Sequence, residues 1–395
     1  MENSIKKIAL FIILALFIQS AVLSQPCLPD GITFTTQAEI DNFQTNNPNC
    51  TEIQGDVVIE EAVTGNITNL NGLSVLTSIG GSLKIGGNGA LTSLTGLSNL
   101  TSIDGNLTIG WDLDPYGTFG NPALTSLTGL DNVTFIGGDL SVENNDALTS
   151  LTCLNNVTSI GGGISINWNY NLTSLIGLDN VASIGGNLWI DGNIALTSLT
   201  CLDNVTSIGG GLWIIDIDAL TNLTGLDSVT SIGGNLMITD NDMLSSLNGL
   251  DNIGANSITD LFIANNSSLS TCEVQSICDY LATPSGTIFI NDNATGCNSQ
   301  DEVEEACTVS VDEVQLSDKL SIFPNPTSSQ ITIELPFAPQ KNSFLTVHNI
   351  NSRKLLTRHI TEQKTVVDVS GLPNGFYFVK LADDKKVMVG KMVKR

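Results

Sequence analysis

The feature that most constrains the fold is a tandem repeat of 24 residues. When the chain is aligned on a recurring Leu-x-Ile step, five of the intervals between successive steps measure 24 residues. One interval measures 33 residues because it contains nine extra residues within 111–121. A fixed period of this length is typical of a solenoid, in which each repeat forms one coil of a stack. Alternation within the step predicts a strand, and the Gly-Gly and Asp-Asn pairs around it predict turns. The steps begin at Val57, Leu83, Leu107, Leu140, Ile164, Leu188, Leu212, Leu236, Leu261 and Ile288.

Each end of the array carries a predicted cap, because the ends of a solenoid expose core side chains and unpaired strand edges. At the front, Thr36 and Glu39 are spaced as a capping box that opens a short helix. Cys27 and Cys50 flank that helix and predict a disulfide. At the back, apolar residues follow helical spacing within 274–281. Four cysteines there predict two disulfides whose pairing stays open: Cys272, Cys278, Cys297 and Cys307.

Two more repeat positions predict structural roles. Cys153 and Cys201 lie two coils apart, about 9.6 Å at a coil rise of ~4.8 Å, which is too far for a disulfide, so we expect small buried residues. An asparagine also recurs after the strand of most coils and predicts a buried ladder that satisfies turn N–H and C=O groups. The ladder comprises Asn88, Asn145, Asn169, Asn193, Asn241, Asn266 and Asn293.

Charge divides the chain into two parts. Residues 25–316 contain 33 acidic residues and one basic residue, Lys84, whereas residues 317–395 contain 12 basic and six acidic residues. An acidic body offers no cations to neutralise phosphates, so nucleic acid and anionic lipid are excluded as its partners. Residues 1–24 have a basic start, an apolar run and small residues at the end, which predicts a signal peptide. We therefore expect secretion, with no membrane span after the signal is removed.

The repeats resemble the leucine-rich β-helices of the receptor L domain family. The resemblance is carried by units such as Leu-Thr-Ser-Leu-Thr-Gly-Leu-Asp-Asn-Val-Thr-Ser-Ile-Gly-Gly between cysteine-bearing caps. It implies an all-β, right-handed solenoid of about ten coils over residues 25–307, followed by a linker at 308–319. Because such domains serve recognition, adhesion and scaffolding alike, the resemblance leaves the ligand open, and a structural component of the surface layer is the alternative to a binding or adhesion protein.

Residues 320–395 read as short alternating strands and predict a small Ig-like antiparallel sandwich. Three segments resemble the type A sorting domain of type IX secretion: 320–327, 372–379 and the basic end 390–395. The resemblance implies a source among the Bacteroidota, export across the outer membrane, processing by a sortase-like peptidase, and a secreted or surface-attached product. An adhesive module that stays on the protein is the alternative. The residues that carry the motifs are Phe323, Pro324, Asn325, Pro326, Gly375 and Tyr377.

Residues usual in catalysis are scarce. Both histidines, His348 and His359, lie in the sorting domain, and residues 25–316 contain no arginine. This excludes Ser-His-Asp and zinc-histidine chemistry in the solenoid and favours a protein that is not an enzyme. Hydrolysis of a glycan by paired carboxylates remains the alternative.

A row of acids follows the repeat at the Leu-Asp-Asn turn. Carboxylates ~4.8 Å apart repel one another by about 0.9 kcal/mol in water, so calcium is conceivable there. Carboxylates that accept hydrogen bonds from their own turns need no metal, and we favour that interpretation and expect no cofactor. The calcium candidates are Asp179, Asp203, Asp227 and Asp251.

The middle residue of each Leu-x-Ile step is predicted to point outward. In the front half of the array it is small, polar or Lys84, but in five successive coils at the back it is large and apolar. We predict that this stripe recognises an extracellular protein or a glycan, with the loop at 111–121 as a candidate wall. A cap, the sorting domain or a second copy could instead cover it. The apolar stripe consists of Trp189, Trp213, Met237, Phe262 and Phe289.

Overall fold

The computed structural model describes residues 25–111, 119–308, 320–335, 339, 343–349, 353–382 and 387–395. The chain divides near residue 308 into two compact units, which are described separately. The predicted signal peptide at 1–24 and all but the first residue of the predicted linker at 308–319 lie outside the described residues.

The predicted steps form one parallel sheet, here called the Leu-x-Ile sheet. Leu188 pairs with Leu212, and Trp189 with Trp213, so every coil stacks in the same register. Its eleven strands are Ile32–Phe34, Val57–Ile59, Leu83–Ile85, Leu107–Ile109, Leu140–Glu143, Ile164–Asn167, Leu188–Asp191, Leu212–Ile215, Leu236–Thr239, Leu261–Ala264 and Ile288–Asn291. The solenoid of about ten coils is confirmed, and the strand Ile32–Phe34 adds one at the front. Leu107 pairs directly with Leu140, so the strand register is kept across the 33-residue interval.

A second parallel sheet, the Ser-Ile sheet, lies before each Gly-Gly pair. Its isoleucines point into the core that the Leu-x-Ile sheet also fills. Glycine is required directly after these isoleucines. At Gly209, for example, a Cβ would overlap the carbonyl oxygen of Gly185 in the preceding coil. The nine strands are Gln25–Cys27, Cys50–Ile53, Ser78–Ile79, Ser102–Ile103, Phe135–Ile136, Ser159–Ile160, Ser183–Ile184, Ser207–Ile208 and Ser231–Ile232.

The third side of the coils is built from turns and short 3-10 helices. The described helices of this kind are Asn71–Leu73, Thr95–Leu97, Thr152–Leu154, Thr200–Leu202 and Ala255–Ser257. Cys153 and Cys201 lie in two of these 3-10 helices. In two other coils the same position is a glycine, Gly177 or Gly225, with φ of 122° and 113°. Both cysteines are free, and Cys201 is buried as predicted. Cys153 is only partly buried, so the expectation of burial is wrong there.

The predicted asparagine ladder is confirmed. All of its members are buried, together with Asn121, which the insertion conceals in the sequence. Asn169 is representative: its Nδ2 donates to the carbonyl oxygen of Val142 in the previous coil at 2.9 Å, and its Oδ1 accepts from the backbone N–H of Asn145 at 3.1 Å. The ladder therefore connects successive coils through their buried turns.

Both caps form as predicted. Thr36 caps helix Gln37–Asp41, with the reciprocal Glu39 contact of a capping box, and helix Phe43–Asn46 follows. The rear cap contains helices Gln275–Ala282 and Gln300–Thr308. The disulfides are Cys27–Cys50, Cys272–Cys297 and Cys278–Cys307, with Cα–Cα distances of 5.6, 5.8 and 5.5 Å. The structure thus supplies the rear pairing that the sequence leaves open.

The C-terminal unit contains two antiparallel sheets that share one core. One sheet contains Ser321–Phe323, Gln330–Glu334 and Lys364–Asp368, and the other contains Phe344–Asn349, Lys354–His359, Gly375–Ala382 and Val387–Lys394. Asn325 of the Phe-Pro-Asn-Pro motif donates to Lys391 O at 2.7 Å and accepts from Val393 N at 2.8 Å. The motif therefore fixes the basic C-terminal strand.

Candidate functional site

The five residues of the apolar stripe form a continuous column on the outer face of the Leu-x-Ile sheet. Trp189 pairs with Trp213, Trp213 with Met237, Met237 with Phe262, and Phe262 with Phe289. The core lies on the opposite face, where the leucines and isoleucines that flank Trp189, Trp213, Met237 and Phe262 are fully buried. The column then continues toward the front through Ser165.

The side chains of the stripe are less exposed than their outward direction suggests. Phe289 is 48% exposed, whereas Trp189, Trp213, Met237 and Phe262 are half-buried. The area of ~400–600 Å² that full exposure would give is therefore an overestimate, since neighbouring coils cover part of each ring.

The aromatic rings of the stripe do not form a flat surface. Trp189 and Trp213 pack edge to face, with ring centroids 5.5 Å apart and planes at 78°. Phe262 and Phe289 are 6.5 Å apart and tilted by 46°. The indole Nε1 atoms of both tryptophans are buried without a hydrogen-bond partner of normal geometry. The result is a ridged apolar surface with both indole N–H groups buried beneath it.

A second outward column runs beside the stripe and includes Asp191. Burial, with a contribution from the charge of Asp216, raises the pKa of Asp191 to about 6, and the adjacent Trp189 partly offsets this. Burial and the charges of Asp218 and Asp240 also raise the pKa of Asp216. Two carboxyl groups with raised pKa, Asp191 and Asp216, therefore lie beside the tryptophans.

The acids at the Leu-Asp-Asn turn do not share one arrangement. The carboxylates of Asp131, Asp179 and Asp227 each accept a hydrogen bond at 2.9 Å from the glycine N–H two residues earlier. Among the described residues, no group of three or more His, Cys, Asp or Glu is arranged to hold a metal ion. These bonds support turn capping, and the absence of calcium binding stays a prediction.

The described part of the loop at 111–121 does not lie against the apolar stripe. Trp111 is only 6% exposed, stacks on Phe119 at 5.6 Å, and lies beneath Lys84, whose Nζ is 4.1 Å from the ring centroid. A Cβ at Gly86 would overlap the Trp111 ring. Trp111 and Phe119 therefore pack toward the front of the solenoid. Residues 112–118 lie outside the described residues, so the role of the loop as a wall of the stripe stays a prediction.

The sequence analysis missed a polar cavity at the rim of the Leu-x-Ile sheet. It has a volume of about 390 Å³, and its described lining includes Tyr170, Asp146 and Asn144. Asn144 and Trp168 occupy the position just before the ladder asparagine, with φ of 57° and 53°. A bulky residue is uncommon in this left-handed region, and the Trp168 ring lies where a Cβ at Gly192 would be. The alternation of strand residues gave no signal for a site in this turn.

Comparison with known families separates the same two units. The receptor L domain model matches residues 49–112 and 204–309, and the model of the secretion system C-terminal sorting domain matches residues 321–395. Two segments of the solenoid are therefore similar to receptor L domains, and the C-terminal unit matches the type IX sorting domain. A search of curated proteins finds no match.

The match to the sorting domain indicates a secreted or surface-attached protein that is exported by type IX secretion. Among the described residues, no helix has the length and apolar character needed to cross a membrane. Neither matching family is an enzyme family. The receptor L domain match suggests a ligand-binding surface protein.

Proposed function

We propose that the protein is a non-enzymatic recognition protein of the cell surface or its surroundings, and that the apolar stripe binds a protein partner. The observation that carries the proposal is the run of five large apolar residues at a position that accepts serine and threonine in neighbouring coils. Ser165 and Trp189 pair directly in the sheet, so folding does not require bulk there. The solenoid tolerates the stripe but does not need it.

Ring geometry favours a protein over an extended glycan at this surface. Stacking on successive sugar rings requires similarly oriented exposed faces, whereas Trp189 and Trp213 are at 78° to each other. Half-buried aromatic anchors suit a protein interface, where tryptophan is common among the residues that dominate binding energy. A partner's carbonyl oxygens could accept from the indole N–H groups after small side-chain movements.

The test is the double variant Trp189→Ser and Trp213→Ser in the mature chain, compared with the parent on arrays of extracellular proteins and glycans. Removing two central anchors should weaken binding of a protein partner by about 30-fold or more. Thr108→Ala with Ser165→Ala is the matched control, since these residues occupy the same column. Circular dichroism would verify that the variants remain folded.

Because both tryptophans are half-buried, Phe289→Ser is a second variant whose cost in folding is lower. Undiminished protein binding by both variants would contradict the proposal. Failure of the parent to bind any protein would favour a structural role in the surface layer, and release of products from a glycan would favour an enzyme. A calcium requirement for binding would call for reassessment of the acidic row.

We also propose that a sortase-like peptidase removes the sorting domain after export. The support is the match of residues 321–395 to the sorting family, together with the change in charge near residue 317. Mass spectrometry of the protein secreted by its host should find a mature C-terminus between the two units. An intact Arg395 on the external protein would refute processing.

A further inference from the structure

The rim cavity is a second place on the solenoid where a ligand could be held, distinct from the apolar stripe. The cavity runs along the positions that directly follow the ladder asparagines in successive coils. At these positions the residue changes from glycine at Gly89 to a large aromatic side chain at Tyr170. Gly87 and Gly120 also line it, so backbone forms much of the floor. Its volume of about 390 Å³ falls within the ~300–1,000 Å³ usual for small-molecule sites.

Three side chains give the cavity its chemistry. Tyr170 is 47% exposed and offers an aromatic face. The Nδ2 of Asn144 is buried and has no hydrogen-bond partner. Asp146 offers a carboxylate, and its backbone is held by a 2.8 Å hydrogen bond from Asn171 Nδ2 to its carbonyl oxygen. An aromatic face with a few fixed polar groups is the usual composition of a selective small-molecule site.

We propose that the rim cavity binds a neutral sugar residue. The apolar C–H face of a pyranose packs on Tyr170, a sugar hydroxyl donates to Asp146, and a sugar oxygen accepts from Asn144. The Asn144 amide turns readily about its terminal torsion to meet that oxygen. Satisfying this donor removes the cost of leaving it unpaired.

The charge of the cavity selects among ligands. Asp146 is the only charged group among its described lining residues, and the solenoid carries a large excess of acids. An anionic ligand is therefore repelled. A simple cation would suit the Asp146 carboxylate but offers no oxygen to accept a hydrogen bond from the Asn144 amide. A neutral polyhydroxyl compound can donate to the carboxylate and accept from the amide, so it fits both groups.

Saturation-transfer NMR on the full mature chain tests the proposal with neutral hexoses and N-acetylhexosamines as probes. Sialic acid and glucosamine serve as anionic and cationic probes. We expect transfer to at least one neutral sugar, and about tenfold or greater loss of affinity in Tyr170→Ala and in Asn144→Gly. Glycine keeps the positive φ of Asn144 while removing its amide.

Matched controls lie one or more coils away. Ile194→Ala removes a side chain from the position equivalent to Tyr170, and Asn265→Gly repeats the Asn144 change where φ is 58°. Both should bind sugar as the parent does. The double variant Trp189→Ser and Trp213→Ser should also keep sugar binding, so failure of the stripe proposal is distinguishable from failure of this one.

Gly89→Ile is a variant designed to block the cavity, because the isoleucine side chain would partly fill it. The solenoid already has isoleucine at the equivalent position, Ile194. Loss of sugar binding in this folded variant supports the proposal. Absence of transfer to every neutral sugar, stronger binding of either charged probe, or unchanged binding in Tyr170→Ala or Gly89→Ile overturns it.

Discussion

Replacement of Asn169 by alanine should destabilise the solenoid far more than its size suggests. The Asn169 amide takes part in five hydrogen bonds: it donates to the carbonyl oxygens of Val142 and Asn167 and to Asn193 Oδ1, and it accepts two bonds from Asn145. Buried groups without partners cost about 1–3 kcal/mol each, and some of these groups keep a second bond. We therefore expect a loss of about 3–5 kcal/mol in the free energy of unfolding.

Urea unfolding of the full mature chain, followed by circular dichroism, measures this loss. Asn171→Ala is the matched control, because Asn171 is exposed and makes one hydrogen bond to the previous coil. The control should lose about 1 kcal/mol or less. The double variant Asn169→Ala with Asn193→Ala should lose less than the two single changes added together, since the residues share a bond.

A loss for Asn169→Ala no larger than that of the Asn171 control would refute the reasoning. It would mean that water or backbone movement satisfies the exposed turn groups at little cost. Additive single changes would refute the narrower idea that neighbouring rungs of the ladder support one another.

Three further predictions concern charge, disulfides and calcium. Folding raises the pKa of Asp191 from 3.8 to about 6, so the folded state favours the protonated carboxyl. Its contribution to the free energy of unfolding is therefore present below about pH 4 and lost as pH rises through 6. Asp191→Asn should raise the melting temperature at pH 7 and flatten its pH dependence, whereas an unchanged profile would contradict this origin. Reduction of Cys27–Cys50, which closes a loop of 23 residues, should cost about 3 kcal/mol, and free thiols there in the secreted protein would rule the bridge out. Calcium should leave the melting temperature unchanged, and a rise that disappears in Asp203→Asn would show that the acidic row binds it.

The repeat carries most of the information about the fold. Strict alternation in steps such as Leu188-Trp-Ile190 determines which side chains face the core, and the constant period determines their register. The strand Ile32–Phe34 was not predicted because its sequence, Ile-Thr-Phe, departs from the Leu-x-Ile step. Pairing of the rear cysteines also required coordinates, since several pairings satisfy the same sequence.

The site was less predictable than the fold. Alternation gives the direction of Trp189 and Trp213 but not how far adjacent rings cover them, which depends on side-chain rotation. The packing of Trp111 depends on Gly86 and Lys84, which lie about one coil earlier in the sequence. The rim cavity depends on glycines in successive turns, whose effect appears only when the coils are stacked.

The position of Lys84 bears on how the protein withstands digestion outside the cell. Proteases of the trypsin class require a basic side chain beside the bond they cut. Lys84 lies within a strand paired on both sides and packs over the Trp111 ring. The next basic residue in the chain is Lys319, beyond the rear cap. Trypsin should therefore trim the C-terminal unit and release the solenoid as an uncut fragment.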